Sequence, residues 1–380
     1  MKEANKKELL KHSTQCLVPP GNGVYTVHTG KERREKLHQT LYPNINEKDV
    51  TPEWEKQLEN SIEASDTSFL FGVCSDSGGG ILRGANWGPL YIRSTLWENS
   101  PTLMREKNIF DLGDVKVVPH FLHDKYLNKE TIKKAHAALF GEEQINYPVS
   151  PLSLTEYYLD ALRKHRRDLG QDTRLLALGG DHSVSYPLVK SYLHDAAQRN
   201  IKVGLIHFDA HTDLLTERLG VDICFGSWVP HILEGLPSPS CAHQVGIRSS
   251  GKDKNHWEKT FGVHQYWNAD VQKQGVSPVV ESIKQRLREE QIEEIYISFD
   301  IDALGSEFAS ATGTPEKDGL RPDQVSTMIR ELTRDFPLGS ADLVEVAPFI
   351  HHEDQSEVEP ESTLMCASSI SALLIEALQK

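Results

Sequence analysis

Residues 203–213 read Val-Gly-Leu-Ile-His-Phe-Asp-Ala-His-Thr-Asp, and the change of character at Asp209 decides how the chain must be built. The first six positions form a mostly apolar run too short for a helix, the pattern of a strand buried on both faces. Beyond it, Asp209, His211 and Asp213 stand at i, i+2 and i+4, so a continuing strand points all three to one face. Two carboxylates and an imidazole crowded on one face repel and desolvate one another unless a cation sits among them. A solvated loop is the other way to carry these charges, and the buried character of Gly204–Phe208 speaks against it.

Two more apolar runs end the same way. Leu175–Leu178 is followed by Gly179-Gly180-Asp181-His182-Ser183, where the glycine pair allows a sharp turn that delivers Asp181 and His182 to a strand end. On its own this reads equally well as a turn with an N-capping residue. Ile295–Phe299 is followed by Asp300-Ile301-Asp302, a second pair of like charges at i, i+2. Such a pair needs compensation, from a cation, an arginine or backbone donors. Together the three runs supply the carboxylates of Asp209, Asp213, Asp300 and Asp302 and the imidazoles of His182 and His211. One divalent ion seldom takes six protein ligands of this mix, whereas two ions sharing bridging carboxylates use them all. Oxygen-dominated ligation with some nitrogen and no thiolate favours manganese over zinc, with nickel, cobalt and iron as further candidates. Two such ions would lower the pKa of a water held between them and supply hydroxide at neutral pH.

Working outward, further apolar runs at Phe69–Cys74, Val245–Ile247 and Leu343–Val346 predict strands. Helical periodicity predicts helices over Leu154–Arg166, Leu188–Gln198, Pro278–Glu289, Asp323–Thr333 and Cys366–Leu378. Strand alternating with helix predicts an α/β fold: a mostly parallel sheet covered on both faces, three layers in αβα order. In such folds ligands bind beyond the carboxyl ends of the strands. Residues 1–65 are rich in Lys, Glu and Asn with few periodic apolar positions and read as an N-terminal extension to a catalytic domain over 66–380. Within it, Thr51-Pro52-Glu53 marks a helix start.

Composition narrows the class. Forty-one Lys and Arg against 55 Asp and Glu give a formal charge of −14, which repels a phosphate backbone, so nucleic acid is excluded as a partner. No run approaches the ~18 consecutive apolar residues of a membrane span, and Met1–His12 has no apolar segment of a secretory leader, so a cytoplasmic protein with no membrane contact is expected. Five scattered cysteines without a Cys-x-x-Cys pair indicate neither a disulfide framework nor a zinc knuckle.

GGDHS (179–183), DAHTD (209–213) and SFDID (298–302), in this order and followed by ATGTP (311–315) and VEVAP (344–348), resemble the arginase/agmatinase ureohydrolase family over about residues 68–378. RGANWGPLYIR (83–93), DLGDV (111–115) and QVGIRS (244–249) are similar in wording to its agmatinase-type members. The resemblance implies an arginase-like fold and a dimanganese centre ligated by His182, Asp209, His211, Asp213, Asp300 and Asp302. It implies that Asp213 also moves a proton and that Glu345 pairs with the substrate's guanidinium. A small guanidino or amidino substrate, urea release and a homotrimer or homohexamer follow from the same kinship.

Three departures stand out. Where many members carry a His-Gly pair that shuttles protons, this chain has Phe225-Gly226, and a phenyl ring carries none; His231 is near but wrongly spaced. After Asp302 the usual prolines are replaced by Gly305-Ser306 and Ser310, which removes a fixed φ and predicts a more mobile loop. The segment after QVGIRS carries Lys252, Lys254 and His256, so arginine is disfavoured as substrate and a short or carboxylate-bearing guanidino compound is expected. Phe225 also keeps alive a catalytically silent protein that binds metal and ligand. A two-metal phosphoesterase is disfavoured, since no phosphate-clamping Arg or Lys lies beside the three runs.

Overall fold

The computed structural model describes residues 2–24, 30–80, 82–141, 145–351 and 360–379. Among them, nine strands form one sheet: β1 (Leu17–Val18), β2 (Ser68–Gly72), β3 (Ile109–Val115), β4 (Leu175–Leu178), β5 (Val203–Phe208), β6 (Ala242–Val245), β7 (His264–Tyr266), β8 (Glu294–Asp300) and β9 (Leu338–Val344). Their spatial order is β1-β3-β2-β4-β9-β8-β5-β6-β7. All neighbours are parallel except β1, which runs antiparallel to β3 at the edge. Helices cover both faces, so the strands are buried on either side and read as apolar runs rather than alternating ones. The αβα fold expected from the pattern is the one observed.

Register sets up the site. Leu178, Leu343, Phe299 and Phe208 lie in one row across β4, β9, β8 and β5. The residues that follow this row therefore leave the sheet together at its carboxyl edge.

The expected strands differ from the observed ones where charge interrupts the apolar pattern. β3 lies outside the expected strands because Asp111 and Asp114 interrupt its apolar pattern, and DLGDV (111–115) forms most of it. Both carboxylates are buried and share the equally buried Arg93, whose guanidinium reaches Asp111 at 2.8 Å and Asp114 at 2.6 Å. β9 begins at Leu338 rather than Leu343 because the buried Asp342 is satisfied by Ser185, Tyr296 and Ser298.

The described residues before β2 pack onto this sheet and its helices. Helix Lys2–Cys16 lies along helix Pro151–Asp168, with Ser13 Oγ 3.2 Å from Tyr158 OH. Helix Val50–Ser61 buries Val50, Trp54 and Leu58, a four-residue spacing that puts one face inward. The backbone N–H groups of Gly21 and Gly23 donate to Asp114 Oδ2, linking the segment to the Arg93 cluster. Helix Pro360–Leu378 is long and apolar enough by length and composition to cross a membrane, but 61% of it is buried within the fold, against β9 and helices Gly88–Asn99 and Pro322–Asp335. All five cysteines are free thiols.

Candidate metal centre

Each strand end delivers its side chains by a local device. After β4, Gly180 admits no side chain: a Cβ there would lie 1.5 Å from the carbonyl oxygen of Ser75. Asp181 then caps the turn, accepting from Ser183 N–H at 2.9 Å and Gly78 N–H at 3.1 Å, and His182 points inward. After β8, Asp300 Oδ1 accepts from Asp302 N–H at 2.8 Å, folding a turn that holds both carboxylates on one side. After β5, Asp209 Oδ1 accepts from His211 N–H, and Asp213 adopts a left-handed φ of 51°. After β9, Glu345 is left-handed as well, at φ 65°, and its Oε1 accepts from His182 N–H at 2.8 Å. Two non-glycine residues in that region within one site signify backbone strain held by the surroundings.

These devices bring the six side chains together. His182 Nδ1 lies 3.2 Å from Asp209 Oδ2, 3.1 Å from Asp213 Oδ2 and 3.1 Å from Asp300 Oδ2. His211 Nδ1 lies 3.4 Å from Asp209 Oδ1 and 3.1 Å from Asp302 Oδ2. Asp209 thus faces both groups, one oxygen to each. His182, Asp209, Asp213, Asp300 and Asp302 are buried, and His211 is 27% exposed in its side chain.

The donor chemistry of this cluster fits cations. Ser298 Oγ donates to Asp342 at 2.8 Å, so it accepts from His182 Nε2–H at 3.1 Å. His182 Nδ1 is buried with three carboxylate oxygens around it and is aligned for a hydrogen bond with none of them among the described residues; although burial opposes the charged ring, those carboxylates raise its pKa well above the ordinary value, so a cation, proton or metal, belongs at this nitrogen. An orphaned buried lone pair is costly unless something electrophilic occupies the space before it. The titration of the cluster points the same way. Burial, then the charges of Asp302 and Asp209, pushes Asp300 well above the usual carboxylate range. Burial and Asp209 raise Asp213. Burial works against the charged form of Asp209 too, yet His182, His207 and His211 together hold it well below its ordinary value. The cluster by itself demands positive charge.

The structure adds groups that the strand-end motifs did not reveal. Trp228 Nε1 donates to Asp213 Oδ2 at 2.8 Å, leaving the other oxygen of Asp213 free among the described residues. Thr314, from ATGTP, donates to Asp302 Oδ2 at 3.0 Å. His207 Nε2 lies 2.9 Å from Asp209 Oδ2, close enough that His207 joins His182, Asp209 and Asp213 as a conceivable ligand set. Arg248, from QVGIRS, donates to the carbonyls of Asp302 at 2.7 Å, Leu304 at 3.0 Å and Glu316 at 2.9 Å, clamping the β8 turn to the 316 loop. Of these only His207 had a local signal, its place two residues before Asp209. The others come from distant loops.

The three departures take definite form. The Phe225 ring lies 3.5 Å from the Cβ position of Gly80, with the Arg218 guanidinium 4.9 Å from its centre. His231 is turned away, its Nε2 2.8 Å from the carbonyl of Asp222. The proline-poor segment after Asp302 is not left loose: Gly305 N–H donates to Leu320 at 3.1 Å and Ser306 N–H to Glu316 at 2.9 Å. Lys254 is engaged by Asp270 at 2.9 Å on helix Lys254–Phe261.

The comparisons with known proteins agree. The arginase family matches residues 66–374. An agmatinase of Bacillus subtilis (strain 168) is 28% identical over 313 residues, covering 80% of this chain and 89% of its own. A mitochondrial guanidino acid hydrolase of Homo sapiens is 30% identical over 301 residues, covering 77% and 74%. Among solved structures, a proclavaminate amidino hydrolase from Streptomyces clavuligerus has a TM-score of 0.62 at 23% identity, over 83% of this chain and 93% of that one. A formimidoylglutamase from Bacillus subtilis has a TM-score of 0.62 at 20% identity, over 83% and 87%. The strand-end motifs, the sheet order and these matches agree that the chain belongs to the arginase family of metal-dependent hydrolases acting on carbon–nitrogen bonds, on its agmatinase-like side.

Proposed function

We propose that this protein hydrolyses the guanidino group of a small compound to urea and an amine, using two divalent cations, manganese first among them. One would be held by His182, Asp209, Asp213 and Asp300, the other by Asp209, His211, Asp300 and Asp302. The observation that carries this reading is the buried Nδ1 of His182 facing three carboxylates at 3.1–3.2 Å at the sheet's carboxyl edge, a place that calls for a cation. Bound there, the ions would supply an acidified water at neutral pH and offset charge developing on the substrate.

The chain's own residues would do the rest. Glu345, fixed by the His182 amide, would accept hydrogen bonds from the substrate's guanidinium with its other oxygen, which lies 3.7 Å from the Cβ position of Gly313. Asp213 would take a proton on the oxygen that Trp228 leaves free and return it to the departing amine. Phe225 and the loop through Gly80 would exclude water from this end, in place of a proton-carrying histidine.

For the substrate itself, a guanidino acid is favoured over agmatine. Arg218, exposed and with no ion pair among the described residues, rests on the Phe225 ring beside the Gly78–Gly80 loop, where it would meet a carboxylate carried by the substrate. Urea release from manganese- and nickel-loaded protein should be measured with guanidinobutyrate, guanidinopropionate, agmatine, guanidine and arginine, and formamide release with formiminoglutamate. Turnover of an acid is expected; agmatine as the better substrate overturns the role of Arg218, and silence on the whole panel favours a metal- and ligand-binding protein without activity. Assembly as a trimer or hexamer belongs to the same proposal, and sedimentation velocity tests it.

A further inference from the structure

His207 is near enough to the cluster to be counted among its ligands, and its hydrogen bonds decide otherwise. His207 on β5, Gln244 on β6 and Gln265 on β7 are paired across the sheet, His207 with Gln244 and Gln244 with Gln265. Their side chains share one face and are fully enclosed, none more than 1% exposed. They form one continuous chain. Trp267 Nε1 reaches Gln265 Oε1 at 2.8 Å, Gln265 Nε2 reaches Gln244 Oε1 at 2.8 Å, Gln244 Nε2 reaches His207 Nδ1 at 2.9 Å, and His207 Nε2 reaches Asp209 Oδ2 at 2.9 Å.

The direction of this chain is set by its fixed members. An indole N–H can only donate, so Trp267 makes the Gln265 oxygen the acceptor and turns the Gln265 amide nitrogen toward Gln244. A backbone carbonyl can only accept, and Gln244 Nε2 also lies 2.6 Å from the carbonyl oxygen of Thr212. That second, independent contact orients the Gln244 amide the same way. Its other hydrogen therefore goes to His207 Nδ1, which must be a lone pair. The ring proton is then on Nε2, aimed at Asp209. His182 is oriented the opposite way: the nitrogen bonded to Ser298 points away from the carboxylates and Nδ1 faces them with no aligned hydrogen bond.

We infer that His207 is not a ligand but a positioning residue: the Trp267–Gln265–Gln244 row, entering from the sheet edge, locks it in the Nε2–H tautomer so that it donates to Asp209, the carboxylate shared by the two cation sites. This rests on the two-ion reading above. The donated hydrogen bond holds one oxygen of Asp209 while the His211 amide holds the other, which leaves each oxygen a remaining lone pair for an ion and restrains the carboxylate from turning. The row also explains three buried polar side chains in the β5–β7 layer, which a sheet would otherwise fill with apolar ones.

Histidine-selective ¹⁵N spectra of the protein, with His207 assigned by its absence in His207→Gln, test the tautomer directly. Nε2 protonated and Nδ1 unprotonated, both without ions and after loading with diamagnetic zinc, is the expected result. A proton on Nδ1, or an Nε2 proton that disappears on loading, overturns it. Manganese affinity, followed by electron paramagnetic resonance of the free ion, supplies the second readout. His207→Phe should weaken binding by about tenfold or more, the scale of losing a hydrogen bond to a metal ligand. His207→Gln places an amide N–H near the former Nε2 and should recover most of that loss, and Trp267→Phe should weaken binding less than His207→Phe does. His207→Gln binding no better than His207→Phe contradicts the positioning role. Wild-type protein that takes up no manganese defeats the two-ion reading instead, leaving the tautomer to the spectrum of the ion-free protein.

Discussion

Glu345→Gln separates substrate recognition from ion binding at this site. The wild-type carboxylate is 6% exposed and has one oxygen committed to the His182 amide at 2.8 Å. Burial, then the charges of Asp300 and Asp181, raises its pKa well above the usual range, so its charged form depends on a cation beside it. In the glutamine variant the amide oxygen keeps the bond to His182 N–H, which turns the NH₂ group toward the substrate. A donor then meets the guanidinium's own donors, and a charge-assisted bond is replaced by a mismatch. Truncating one partner of a buried charged pair costs about 2 to 5 kcal/mol. Because the backbone-facing half of the side chain is preserved, the lower part of that range applies, about 3 kcal/mol, or roughly 150-fold in kcat/KM. The assay is urea release on the best substrate of the panel, with elemental analysis of the same preparation. Two ions per chain and a two-order loss of kcat/KM are expected. Full activity, or departure of an ion, would refute the reasoning, the first by removing Glu345 from the substrate's path and the second by making it part of the ion site.

Asp209→Asn should lower the content of both ions, since its oxygens face both groups, whereas His211→Ala should lower one; elemental analysis after dialysis reads both, and unchanged content in the two variants is incompatible with the ligand assignment. Gly180→Ala forces a methyl group onto the Ser75 carbonyl, which neither backbone can avoid; a thermal midpoint lowered by an overpacking cost of about 3 kcal/mol or more is expected, together with reduced ion content, because His182 follows two residues later. Trp54→Ala removes a side chain only 1% exposed from helix Val50–Ser61 and should cost about 3 to 5 kcal/mol in denaturant unfolding. A cost below about 1 kcal/mol would mean that this helix does not belong to the core.

The site was largely legible because its side chains follow directly on uninterrupted apolar strands. Asp209, His211 and Asp213 after Val203–Phe208, and Asp300 and Asp302 after Ile295–Phe299, announce themselves by an abrupt change from buried to charged. β3 and β9 were obscured by buried carboxylates whose partners, Arg93 for the one and Ser185, Tyr296 and Ser298 for the other, lie on other elements. β7 is three residues, His264–Tyr266, with a polar middle that only its contacts with Gln244 and Trp267 justify. Trp228 and Arg248 could not be assigned roles from their neighbours along the chain, since each acts on a group from a separate loop.

The place of β9 in the sheet bears on how the protein is made. It lies between β4 and β8 although it is the final strand in sequence among the described residues. Until residues 338–344 have emerged from the ribosome, β1-β3-β2-β4 and β8-β5-β6-β7 are two half-sheets, each with an open inner edge. His182 belongs to the first half and the remaining five clustered residues to the second. A nascent chain should therefore be slow to commit and vulnerable to edge-to-edge association through most of its synthesis. Catalytic competence would arrive in one late step, when the last strand closes the gap.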